Sequence, residues 1–170
     1  MTFRTQLTAF RYKAEYNSLL WLNKNNKRTQ EYQEKGLNLL HQKVDNLPDK
    51  IAFRPKFLKE SFCVKVFNQL YLFISKNNLK KPITERFDSL FHEVGHWLHF
   101  QNLPTKEERK AVWKEINKEK VKNDVSKRAV ENNEGLEFVA EVFKGLVKGE
   151  KYDNYIMEFY NRLKGPKVKQ

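Results

Sequence analysis

Apolar residues recur at helical intervals along most of the chain. Phe3, Leu7, Phe10, Ala14 and Trp21 form one stripe over Thr2 to Leu22, until the Asn/Lys cluster from Asn23 to Lys27 breaks it. Leu37, Leu40, Val44 and Leu47 make a second, with Thr29 as its N-cap and Pro48 at its end. The period then drops to two. Phe62, Val64 and Val66 alternate with Cys63, Lys65 and Phe67, and the apolar run Leu70 to Ile74 follows Asn68 and Gln69. This predicts a hairpin, with Ile51 to Phe53 as a further short strand before Pro55. Beyond Pro82 the helical spacing returns: Phe87, Leu90, Phe91, Val94 and Leu98 predict a helix from about Thr84 to about Phe100. Pro104 and Thr105 open another, which carries Val112, Trp113 and Ile116 and fades by Asn123. A further helix covers Asn133 to Lys148 and stops at Gly149. The last runs from Tyr152 to Leu163, with Gly165 and Pro166 behind it and a frayed tail from Lys167 to Gln170. The pattern predicts an α+β chain, mainly helical, with a small sheet or β-hairpin packed on the helix that follows it.

At 170 residues the chain has the size of one compact domain, read as an N-terminal helical lobe over residues 1–60 and a core over 61–170. Its apolar fraction of 39% is low, but 13 Phe, 7 Tyr and 3 Trp supply the large side chains a core needs. The longest apolar run, Leu70 to Ile74, is far short of the roughly 18 residues of a membrane span, so no membrane is expected. Met1 to Arg11 mixes charged and polar residues where a signal peptide needs an apolar stretch, so export by that route is not expected and a cytoplasmic location is. The single Cys63 cannot form an internal disulfide and suits a reducing compartment. The formal charge of +12 raises the question of an anionic partner. Lys+Arg exceed Asp+Glu by 6 over residues 1–60, by 2 over 61–104 and by 4 over 105–170, so the excess is dispersed and reads as a solvated surface. A nucleic-acid partner is therefore not favoured.

The chemistry concentrates in one place. His92-Glu93-Val94-Gly95-His96 is an HExxH sequence inside an apolar helix. Two imidazoles four residues apart project from one helix face and can grip a single Zn²⁺, while Glu93 stands where a general base is needed. Three of only four His lie between positions 92 and 99, and buried imidazoles need partners, so a metal is the economical explanation. Two His do not complete a site. His99 lies seven residues from His92, about 10 Å along the axis, which makes it an alternative rather than the expected ligand. Downstream, Glu134, Glu137 and Glu141 share a face of the Asn133 to Lys148 helix, where stacked like charges beside Val139, Val142, Phe143 and Leu146 are unfavourable without a cation opposite. Glu137, set among the apolar residues that anchor that helix, is the expected third ligand, with Glu134 its rival. Glu141, one turn on, is placed to orient an imidazole or a bound water from behind. Cys63 reads as a buried structural thiol.

With these residues the chain resembles the gluzincin metallopeptidases, which carry HExxH on one helix and a Glu ligand on a later one. More narrowly, Asn133-Glu134-Gly135-Leu136-Glu137-Phe138-Val139-Ala140-Glu141-Val142-Phe143 resembles the second motif of the anthrax lethal factor catalytic domain, the clostridial Pro-Pro endopeptidases and their phage-encoded homologues. The similarity runs from roughly Leu70 to Leu163. It implies a zincin-like fold, zinc held by His92, His96 and Glu137, and Glu93 as the proton shuttle of peptide-bond hydrolysis. One departure stands out: Val130 occupies the place where those relatives have a transition-state-stabilising Tyr, for which Tyr152, Tyr155 and Tyr160 are the substitutes available in the last helix. A second, weaker resemblance is to the phage-repressor-cleaving metallopeptidases of mobile elements, whose usual HExxH-to-Glu spacing is shorter than the 41 residues between His96 and Glu137.

The expected function is thus a zinc-dependent endopeptidase acting on a protein or peptide substrate, from a phage or mobile element as the resemblance implies. Residues 1–60 are free to dock an assembly partner. Two other readings stay open: a catalytically weak or inactive zincin-fold structural or virion protein, and a basic nucleic-acid-binding module with a structural zinc.

Overall fold

The structure, a computed structural model, describes residues 19–21, 27–47, 50–56, 62–66, 69–75, 81–82, 85, 87–114, 125–127, 129 and 135–169. Helix outweighs strand among them. In chain order the elements are β1 (Leu19–Trp21), α1 (Lys27–Lys43), β2 (Lys50–Lys56), β3 (Phe62–Val66), β4 (Gln69–Ser75), α2 (Asp88–Asn102), α3 (Lys106–Lys114), α4 (Gly135–Lys148) and α5 (Asn154–Arg162). Packing divides the chain into two units, residues 1–93 and 94–170, with the boundary inside α2. No helix among the described residues is long and apolar enough to cross a membrane.

In the first unit the strands run in the order β1-β2-β4-β3. β1 lies parallel to β2, and β2 parallel to β4, while β3 and β4 pair antiparallel with Phe62 opposite Phe73 and Val66 opposite Gln69. The directions follow the connections: two residues between β3 and β4 permit only an antiparallel pair, whereas β1 reaches β2 through α1, a crossover of the length that parallel neighbours require. Helical spacing assigns Leu19–Trp21 to the end of a first helix, but these residues pair in register with Lys50–Ala52, and the backbone partner prevails over the local pattern. The rest of that predicted helix, up to Ser18, lies outside the described residues. α1 buries Leu37 and Leu40, and Val44 just beyond its end is buried too, three positions of the predicted stripe.

The second unit is built by helices whose ends follow from local chemistry. α3 opens with a capping box: Glu108 N donates to Thr105 Oγ1 at 3.2 Å, and Thr105 N donates to Glu108 Oε2 at 3.1 Å. Asp153 caps α5, its Oδ1 accepting from Ile156 N at 2.9 Å. α4 ends as Gly149 enters the left-handed region at φ 86°, which lets Glu150 N reach Gly145 O at 2.9 Å. α5 closes with the same bond pattern, Gly165 N to Tyr160 O at 3.0 Å, but Lys164 supplies the left-handed residue at φ 59°. Gly165 serves another need, since the Tyr160 ring lies where its Cβ would be.

The core of this unit comes from α4 and α5. Phe138, Val139, Ala140, Val142 and Phe143 are wholly buried, and Phe138 meets Phe159 edge-on with centroids 5.0 Å apart. Each such large side chain is worth about 1.5–3 kcal/mol of burial. Just beyond α5 the chain folds back: Pro166 is buried and its carbonyl accepts from Tyr160 Oη at 2.6 Å. The same return holds the far end of α2, where His99 Nε2 donates to Leu163 O at 2.7 Å and Asn102 Nδ2 to Lys164 O at 2.9 Å.

Candidate metal centre

α2 carries its apolar stripe through Leu90, Phe91, Val94, Trp97 and Leu98, all buried, and this burial fixes the helix's rotation. His92 and His96, one turn apart on that helix, are set by its geometry alone, and His92 is 1% exposed. Glu93 is buried beside it. Glu137 stands in the first turn of α4, anchored by the buried Phe138, Val139 and Ala140 that follow it.

His96 Nε2 lies 3.0 Å from Glu137 Oε1. With His92 the two form a group whose ligand atoms all lie within 4.8 Å of one another. Two imidazole nitrogens and one carboxylate oxygen make the donor set of a three-ligand zinc site with an open position. Donors around one tetrahedral ion at about 2.1 Å sit roughly 3.4 Å apart, so side-chain adjustment suffices to close the group on an ion. These three residues can hold a metal ion. Their side chains are 14% and 16% exposed for His96 and Glu137, which leaves solvent a route to the group.

The remaining sequence-predicted residues fall elsewhere or outside the described set. His99 stands apart from the group. It is fully buried, its Nε2 faces a backbone carbonyl and so must carry the proton, and among the described residues Nδ1 has no hydrogen-bond partner. Burial holds its pKa down from 6.5 to about 4, against the pull of the Leu163 carbonyl, so it is neutral at ordinary pH. Glu141 is buried one turn beyond Glu137, and Lys144 Nζ lies 2.6 Å from its Oε2. Glu134 and Val130 lie outside the described residues, as does the side chain of Cys63. Of the three tyrosines available to replace a Tyr at position 130, Tyr160 is buried and committed to Pro166 O, Tyr152 donates to Glu150 Oε2 at 3.1 Å, and Tyr155 is exposed.

Sequence reasoning missed Gly95 and Phe143 as shapers of the site. Gly95 passes against α4 so closely that an added Cβ would stand 2.8 Å from Phe143 Cδ1 and 3.3 Å from the Ala140 Cα. A helix-interior Gly, costly relative to Ala by about 1 kcal/mol, was the available signal. Compared with known proteins, the chain matches no family model, no curated protein and no solved structure.

Proposed function

We propose that the chain is a zinc-dependent endopeptidase with a zincin-like fold, in which a small sheet packs on the helix that bears HExxH. The observation that supports this reading is the meeting of His92, His96 and Glu137 from two helices 41 residues apart between His96 and Glu137. A zinc ion held there would supply Lewis acidity toward a peptide carbonyl and acidify a water toward neutral pH. Glu93, adjacent to the first histidine, takes the proton of the attacking water and returns it to the leaving amine. Glu137 contributes the negative charge that two neutral imidazoles lack, and Glu141 supports the cluster from one turn further along α4.

Elemental analysis of the purified protein is expected to find about one zinc per chain, and Glu93→Gln to retain it while losing cleavage of casein and of a degenerate peptide library. Absence of any stoichiometric transition metal, or undiminished cleavage by Glu93→Gln, overturns the reading. The engagement of Tyr160 and Tyr152 elsewhere favours one second reading: a zinc-bearing structural protein without turnover. It is met if wild-type protein holds zinc, loses stability on chelation and cleaves none of these substrates.

A further inference from the structure

We infer that Gly95, by letting α2 press against Phe143 and Ala140, is the positioning residue that sets the distance between His96 and Glu137. The inference rests on the metal reading of that pair. Gly95 immediately precedes His96, and Ala140 follows Glu137 by one turn, so the contact lies within about 5 Å along either axis of both donors. A Cβ at position 95 would meet Phe143 Cδ1 at 2.8 Å and Phe143 Cγ and the Ala140 Cα at 3.3 Å each, where comfortable carbon contacts are about 3.5–4.0 Å. Neither neighbour yields cheaply. Phe143 is a fully buried ring in a close-packed core, and the Ala140 atom belongs to the helix backbone.

An added methyl therefore spreads the helices by several tenths of an ångström. Metal sites tolerate roughly ±0.2 Å in their bond lengths, so a spread of that size falls directly on the pair now 3.0 Å apart. Helix propensity alone would place Ala at position 95.

The test is Gly95→Ala, titrated with zinc against a chromophoric chelator, with Co²⁺ absorption as a reporter of coordination geometry. The expected result is a native far-UV spectrum, zinc binding weakened about 10–100-fold and an altered cobalt band, as when a group that holds a ligand in place is lost. Gly145→Ala is the control, because on the far part of α4 the atoms nearest its Cβ would be the ends of two side chains, the Tyr152 hydroxyl and Glu150 Oε2; its zinc affinity should stay within about threefold of wild type. Wild-type affinity and an unchanged cobalt spectrum in Gly95→Ala overturn the inference alone, whereas wild-type protein that binds no zinc overturns the metal reading beneath it. If Gly95→Ala does not fold, Gly95→Ala/Phe143→Leu is compared with Phe143→Leu. Recovery of the fold together with zinc affinity within about threefold supports the inference. A double variant that stays unfolded, or folds without regaining zinc, overturns it.

Discussion

His96 and His99 stand three residues apart on α2, yet their surroundings ask opposite things of them. His96 meets a carboxylate at 3.0 Å beside a second imidazole, with part of its ring reachable from solvent. His99 is sealed, its polar partner among the described residues the neutral carbonyl of Leu163. A carboxylate next to an imidazole pair supplies charge that a cation can answer; a carbonyl at the end of another helix supplies only a place to put an N–H. The lesson is that an imidazole becomes a metal ligand through what faces it, not through its spacing from other imidazoles. His99 has the burial of a functional residue and does the work of a structural one.

The sharpest way to break this contrast is to remove each partner. Glu137→Ala should lower zinc affinity by more than the 10–100-fold expected for an outer group, with the loss read by competition titration. Equal loss in His99→Phe would erase the distinction. Acid offers the next largest effect. His99 has a folded pKa near 4 and an unfolded one near 6.5, so the unfolded chain binds more protons between those values and stability falls as pH drops from about 6.5 toward 4. The loss from this residue amounts to roughly 3 kcal/mol by the low end, and nothing from it is expected above pH 7. His99→Phe should lack that part of the slope in urea melts at pH 7 and pH 5. At neutral pH the same variant should keep its zinc but lose about 1–2 kcal/mol, because the buried Leu163 carbonyl is left without its donor. The smallest effect belongs to Glu108, whose carboxyl is held down to about 2 by Lys164 and by the Thr105 cap. Its ion pair with Lys164 lies at the surface, so Glu108→Ala should move thermal stability little, and less still at 0.5 M salt.

What could be read from the sequence was local. Pro104 and Thr105 announce a helix start, which Glu108 closes as a capping box, and Gly149 announces an end; each acts through atoms within a few residues of itself. The two histidines of α2 fall into the same class. Of the contacts over long separations, residue type and anchoring pointed to Glu137 beside His92 and His96, but the others were not readable. His99 is on the HExxH face by spacing, and nothing near it in the chain reveals that its acceptor is Leu163. Gly165 and Pro166 suggest a helix terminator; in the structure Lys164 makes the left-handed turn, Gly165 yields space to Tyr160, and Pro166 is buried. Leu19–Trp21 follows a helical stripe and still pairs as a strand, because α1 returns the chain beside it. The arrival of Glu137 at His96 depends on the bare backbone of Gly95, a property that no count of ligand-type residues contains.

The tuck of the last turns onto α2 has a consequence for the order in which the protein is made. His99 waits for a carbonyl 64 residues downstream, and Asn102 for one 62 downstream. A ribosome adding about 5–20 residues per second produces Leu163 roughly 1–5 s after Glu137. Within that interval all three donor residues have been translated while the far end of α2 still lacks its acceptors. Donor supply and helix closure are separate events in the life of each nascent chain, and a ribosome paused before Leu163 would hold the first without the second.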